Sequence, residues 1–214
     1  MDRLIRIFAA TLASLVLVST QAFAHPHVWV TMKSEIVYAS DGTVTGIRHA
    51  WSFDDMFSAF ATQGLESKQK GVFTREELAP LAEVNVTSLK EFDYFSYARA
   101  NGKKAELGDA TDYWLDYTDS VLTLHFTLPL KSAVKAQSLE LEVYDPTYFV
   151  DFALAEKNPV ALTHAPAACK LAIGKPQEMT AAVARRLAEI PAGESIPSNS
   201  YGAQFANKIS VKCP

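Results

Sequence analysis

Residues 27–53 read HVWVTMKSEIVYASDGTVTGIRHAWSF, two alternating runs around a turn. In the first run Val28, Val30 and Met32 fall on one side and His27, Trp29 and Thr31 on the other. That is the period of two that a β-strand imposes. Ser40-Asp41-Gly42-Thr43 is a turn signal. The second run, Val44 to Phe53, gathers Ile47, His49, Trp51 and Phe53 on one face. The two runs predict an antiparallel hairpin, and both faces of its first strand look coverable, as in a two-layer structure.

Downstream, Asp54 precedes Met56-Phe57-Ser58-Ala59-Phe60 and is placed to cap a short helix. Thr74-Arg75-Glu76-Glu77 is a capping-box pattern opening a second helix, predicted to end near Glu91, with Pro80 inside it as a breaking or restarting point. Phe92 to Ala100 returns to strand, followed by the hairpin signal Asn101-Gly102. Tyr113–Tyr117 and Val121–Leu128 read as a hairpin around Thr118-Asp119-Ser120, and Ser138–Tyr144 as a further alternating strand. Beyond Asp145-Pro146 the pattern is less regular. Val183, Leu187 and Ile190 give helical spacing over 179–190, a Pro/Gly/Ser-rich loop spans 191–200, and Phe205–Val211 is a last helical turn or strand. The expected fold is α+β: an antiparallel β-sheet core, of which a sandwich is one form, with a helical excursion at 54–91 and a helix near the C-terminus.

Upstream, Arg3 and Arg6 precede an apolar stretch from Ile7 to Val18, and Ala22-Phe23-Ala24 sets small residues at the two positions a signal peptidase reads. The apolar run is shorter than the roughly 20 residues that span a bilayer. The expectation is a cleavable signal peptide at 1–24, export to the periplasm, and one globular domain at 25–214. Asp2, Arg3 and Arg6 sum to +1, so the formal charge of −4 becomes −5 after cleavage. An acidic domain is poorly suited to nucleic acid or anionic membrane surfaces. Cys169 and Cys213 are the two cysteines, and an oxidising compartment predicts that they pair.

Cleavage after Ala24 leaves His25-Pro26-His27 as the new amino terminus. An α-amine titrates near ~7.7–8.0, so a metal can displace its proton near neutral pH. The amine and the His25 ring can then chelate one ion, with His27 supplying a second imidazole. Pro26 has no N–H to lose, which blocks the square-planar site that uses the amide of residue two. The shell therefore needs donors from elsewhere. His49, Asp54 and Asp145 are the candidates, His49 and Asp54 through the hairpin and the two aspartates as strand-end carboxylates. Asp54 reads equally as a helix cap, and Asp145 also as an Asp-Pro turn residue. His125, in mid-strand, reads as packed or hydrogen-bonded, and His164 lies undecided in an irregular loop.

Glu66–Glu77 has the glycine and final glutamate of an EF-hand loop, but Lys68 and Lys70 stand at its third and fifth places, so it is read as non-binding. The frequent aromatics read as core and cross-strand pairs. No nucleophile elbow, Walker loop, zincin helix or Rossmann glycine pattern is present, and no catalytic residue is assigned.

His25-Pro26-His27-Val28, Trp51-Ser52-Phe53-Asp54 with Phe57-Ser58, Glu91-Phe92-Asp93-Tyr94-Phe95, Asp145-Pro146-Thr147-Tyr148 and Gly202-x-x-Phe205-Ala206 occur together. In this combination the chain resembles a family of bacterial exported proteins of unknown function, catalogued as periplasmic components of an uncharacterised ABC-type transport system. The resemblance implies transition-metal handling beside nickel/cobalt-type permeases. It departs from the family at Lys68 and Lys70, where many members are acidic. The expected function is a periplasmic transition-metal-binding accessory protein for zinc, nickel or copper, serving an inner-membrane metal permease or ABC-type transporter. The alternatives are an N-terminal-histidine copper enzyme, with His49 or His125 as its second ring, and a non-metal interaction module.

Overall fold

The computed structural model describes residues 26–69, 71–188 and 201–214. The expected signal peptide, His25, Ile190 and the 191–200 loop lie outside the described residues. The chain forms two β-sheets packed face to face. The first has the order β5 (Thr111–Thr118), β6 (Val121–Val134), β2 (Val44–Phe53), β1 (Val28–Tyr38), β8 (Val150–Leu154), with β9 (Val160–Thr163) also paired to β1. The second has the order β10 (Lys170–Ile173), β11 (Asn207–Lys212), β7 (Ser138–Val143), β3 (Ser96–Ala100), β4 (Lys103–Ala105). The β1–β2 hairpin forms as its alternation required, with Val30 opposite Phe53 and Met32 opposite Trp51.

The core lies between the sheets. Met32, Ile36, Ile47, Trp51, Leu124 and Phe126 of the first sheet meet Leu139, Leu141, Val143, Ile209 and Val211 of the second, all buried. Trp51 packs edge-on against Phe126 and touches Phe152, both at 4.8 Å between ring centroids. Asn207 of β11 crosses the layer, donating through Nδ2 to the Phe152 carbonyl at 3.2 Å.

The helical excursion comprises α1 (Asp55–Ala61) and α2 (Arg75–Lys90), and α3 (Ala181–Ala188) and α4 (Tyr201–Gln204) lie near the C-terminus. Thr74 and Glu77 make the capping box that opens α2. The helix runs unbroken through Pro80, although proline removes one helical hydrogen bond. Leu78, Ala82 and Val86, one buried stripe, lie on the side that packs against β5.

Four features differ from the expectations. β6 extends to Val134, six residues past Leu128. Phe92–Ala100 is not all strand: Asp93, Tyr94 and Phe95 have φ of 51°, 51° and 49°, a left-handed turn before β3. The less regular stretch after Asp145 contains three short strands, β8, β9 and β10. Two of them, β8 and β9, run parallel to β1, so the first sheet is mixed. The turn signals did form tight turns. Asn101-Gly102 and Asp119-Ser120 carry positive φ at both positions, as two-residue hairpin turns require.

Cys169 and Cys213 form a disulfide closing a 44-residue separation and tying the last strand to the loop before β10. Constraint of the unfolded chain by such a loop is worth about 4 kcal/mol. A Cys169→Ser/Cys213→Ser protein is expected to lose stability of that order in urea unfolding, with an unchanged far-ultraviolet spectrum at low denaturant. An unaltered midpoint would exclude the disulfide as a stabilising link.

Candidate functional site

One rim of the sandwich collects most of the sequence motifs: the start of β1, the end of β2, the loop from β7 to β8, and the segment before β11. His27 enters it on a held backbone. Its N–H donates to the Phe149 carbonyl at 2.8 Å, and its exposed ring stacks on Phe149 at 4.7 Å. The parallel register, Val28 with Val150 and Trp29 with Asp151, places Trp29 and Asp151 on the face opposite the core. Trp29 and Phe149 are each about half exposed, so the outer rim is an aromatic shelf beside His27.

Asp54 and Asp145 stand at this rim with their oxygens occupied. Asp54 Oδ1 accepts from Phe57 N at 2.9 Å, capping α1, and Oδ2 accepts from Trp29 N at 2.9 Å. The Asp54 N–H returns a bond to the Trp29 carbonyl at 3.0 Å. The cap reading and the strand-end reading are therefore combined in one carboxylate, which pins the end of β2 to the start of β1. Asp145 is buried and accepts four bonds: from the Thr147 N–H and hydroxyl on Oδ1, and from Phe149 N and Val150 N on Oδ2. It staples the loop that carries the chain from one sheet to the other, with Tyr148 at φ 56°. Gly202 presses on this staple so closely that a Cβ there would overlap the Asp145 carbonyl oxygen.

His49 is far from the rim. It pairs with Ser34, seven residues along β1 from His27, about 23 Å at the rise of an extended strand. The hairpin sets His49 against the first strand, but opposite Ser34 and not beside His27. The alternation that put His49 with Ile47 and Trp51 turns its ring into the core, where it is 1% exposed. There it links the sheets. Ser34 Oγ lies 3.0 Å from Nδ1 and Ser96 Oγ lies 3.3 Å from Nε2. Ser96 donates its hydroxyl to the Tyr94 carbonyl at 2.9 Å, so its oxygen is left to accept from Nε2–H, and Nδ1 accepts from Ser34. This assigns a neutral Nε2–H imidazole. Burial lowers its pKa from 6.5 to about 3.

The remaining candidates are separate from the rim. His125 bonds Asp116 Oδ2 through Nε2 at 2.7 Å and stacks face to face on Trp114 at 3.8 Å, with the Arg75 guanidinium 3.8 Å from that ring's centroid. It is the hydrogen-bonded histidine the strand pattern suggested. His164 is exposed at φ 59° after β9. Glu77 of the EF-hand-like stretch accepts from Thr74 N and Lys68 N, closing the loop onto the helix. Among the described residues, no group of three or more His, Cys, Asp or Glu is placed to hold a metal ion. Asp151 is the rim carboxyl that the sequence reading passed over. Burial holds it above the ordinary carboxylate range, and Tyr148 leans on it with a hydrogen bond that partly offsets the rise. No local pattern signals it, because its place beside Trp29 depends on the pairing of β8 with β1.

Because the folded His49 titrates below its unfolded value, the unfolded chain takes up the extra proton as pH falls. Stability should therefore drop from about pH 6.5 toward 3, by up to ~1.4 kcal/mol per pH unit. Urea unfolding across that range should show this component in the wild type and not in His49→Asn; equal slopes would contradict the buried neutral ring. Asp54→Ala should cost about 1–2 kcal/mol through the lost cap and strand tie, with Asp54→Asn recovering much of it, as thermal melts would register.

A family model described as "Protein of unknown function (DUF1007)" matches residues 10–213. An uncharacterised protein of Haemophilus influenzae is 24% identical over 202 residues, covering 92% of this chain and 94% of the relative. An uncharacterised 15.5 kDa protein from the trpE 3′ region of Spirochaeta aurantia is 32% identical over 93 residues, 43% of this chain and 66% of that protein. With nearly its whole length matched, the chain belongs to the DUF1007 family.

Proposed function

We propose that the protein is an exported transition-metal accessory protein that carries zinc, nickel or copper on its processed amino terminus and passes it to a metal permease in the inner membrane. The observation that carries this reading is the held position of His27. A two-histidine terminus on a fraying tail would lose ordering entropy on binding. Here the backbone at His27 is bonded to Phe149 and the ring rests on a neighbouring aromatic.

In this reading the donors are the His25 ring, the amine released by cleavage, and the His27 ring. Asp54 and Asp145 are assigned to shaping the rim, since their oxygens receive backbone and hydroxyl hydrogens that tie its segments together. His49 is not a ligand either. Nitrogen donors suit zinc, copper and nickel, and an open donor set leaves a position through which a partner could take the ion. No helix among the described residues is long and apolar enough to cross a membrane. The copper-enzyme alternative needs His49 or His125 as its second ring. His49 is enclosed in the core and His125 is engaged with Asp116, so nothing favours it.

Calorimetry on the processed protein should detect binding of zinc, nickel or copper that weakens below about pH 6 as imidazole protonates. His25→Ala/His27→Ala should abolish it, while Asp54→Asn and His49→Asn should leave it within a few-fold. Equal affinity in the double histidine variant would remove the proposal.

A further inference from the structure

Away from the rim, β4 pairs only with Ala98–Ala100, so the first residues of β3 lack a strand partner on that side. The chain after β4 swings away and is tied to the far end of β6 by Lys131 N to the Glu106 carbonyl and Gly108 N to the Pro129 carbonyl. Between them is a notch of about 370 Å³ whose lining includes Asp93, Tyr97, Tyr144, Arg99, Lys131 and Glu140. That is the size range of small-molecule sites.

The left-handed turn forms one end of this notch. Three consecutive non-glycine residues at φ near 50° are strained and persist only where their surroundings hold them. They are held here by Phe95 N on the Phe92 carbonyl, Tyr144 N on the Phe95 carbonyl, and Ala110 N on the Tyr94 hydroxyl oxygen. The result sets Asp93 among the residues lining the notch, beside the stacked Tyr97–Tyr144 pair, whose ring centroids are 4.4 Å apart. Burial, and then the charges of Tyr144, Asp93 and Asp145, push the Tyr97 hydroxyl up to about 12. At neutral pH this end therefore offers neutral phenols next to carboxylates.

Most other charges of the notch are matched. Lys90 bonds Asp109 at 2.7 Å, Lys104 bonds Glu106 at 3.1 Å, and Glu142 meets Lys208 at 3.4 Å. Asp93, Arg99, Lys131 and Glu140 have no ion pair within 4.0 Å among the described residues. Arg99 lies two residues beyond Tyr97 along β3, about 7 Å. The notch thus has an acidic, aromatic end and an end where Arg99 and Lys131 outnumber Glu140.

From this layout we infer that the notch binds a small zwitterion of dipeptide length, its ammonium at Asp93 and the tyrosine faces and its carboxylate at Arg99 and Lys131. A notch of about 370 Å³ has room for a ligand of this size. Ammonium on aromatic faces and carboxylate on guanidinium are the two favourable contacts.

Calorimetry with alanyl-alanine, its N-acetyl form and its C-terminal amide tests this on the wild-type protein. The free dipeptide should bind, and each blocked form should bind roughly tenfold or more weakly. Arg99→Gln should erase discrimination against the amide. Asp93→Asn, which tolerates the left-handed backbone, should erase discrimination against the N-acetyl form. Absence of saturable binding at millimolar dipeptide, or equal binding of the three ligands to the wild type, would overturn the proposal.

Discussion

One hydrogen-bonded chain crosses the largely apolar core of the sandwich: Ser34 to His49 to Ser96 to the Tyr94 carbonyl. It runs from the first sheet into the second through a single imidazole that must stay neutral. A buried polar group is tolerated only when its partners are in place, so this chain fixes how the two layers register. It also reaches the left-handed turn, because the carbonyl that ends it belongs to Tyr94. The turn in turn sets Asp93 and Tyr97 at the notch. The core histidine and the strained backbone are parts of one arrangement.

The rim follows a different logic. Its two aspartates act as backbone organisers, one pinning β1 to β2 and the other stapling the crossing from β7 to β8. Both leave the outer face to His27, Trp29, Phe149 and Asp151. Gly202 closes the arrangement from below, since nothing larger than hydrogen fits against the Asp145 carbonyl. The motifs that looked like ligands in the sequence are largely the framework that holds a short exposed edge in place.

The hairpin, the tight turns and the capping box were legible because each depends on near neighbours or on a strict period, and the cysteine pair because the chain has two cysteines and reads as exported. Val28, Val30 and Met32 announce a strand without reference to anything distant. β8 and β9 were not legible: at five and four residues they are too short to show a period, and they exist because β1 offers a long edge to pair with. The left-handed turn carries no glycine to signal it and is imposed by β7 and the 106–110 segment. His49 shows both sides. Its alternation pointed inward, but its donor chemistry suggested a ligand, and only the serines on two other strands explain why a histidine sits there. Asp54 and Asp145 were ambiguous for the same reason, since a carboxylate in sequence does not say which N–H groups will face it.

The central claim is a division of labour among the histidines: His49 holds the fold as a neutral ring, and, in the proposed function, His25 and His27 of the processed amino terminus take the metal. Nitrogen-15 NMR of the imidazoles in the processed protein, recorded with and without zinc, measures both halves at once. The account predicts a neutral Nε2–H signal for His49 that is unmoved by zinc and by lowering the pH to about 5, with the His25 and His27 signals shifting on zinc addition. A His49 ring that titrates near its ordinary value or moves with zinc, or amino-terminal rings that ignore the metal, would contradict it.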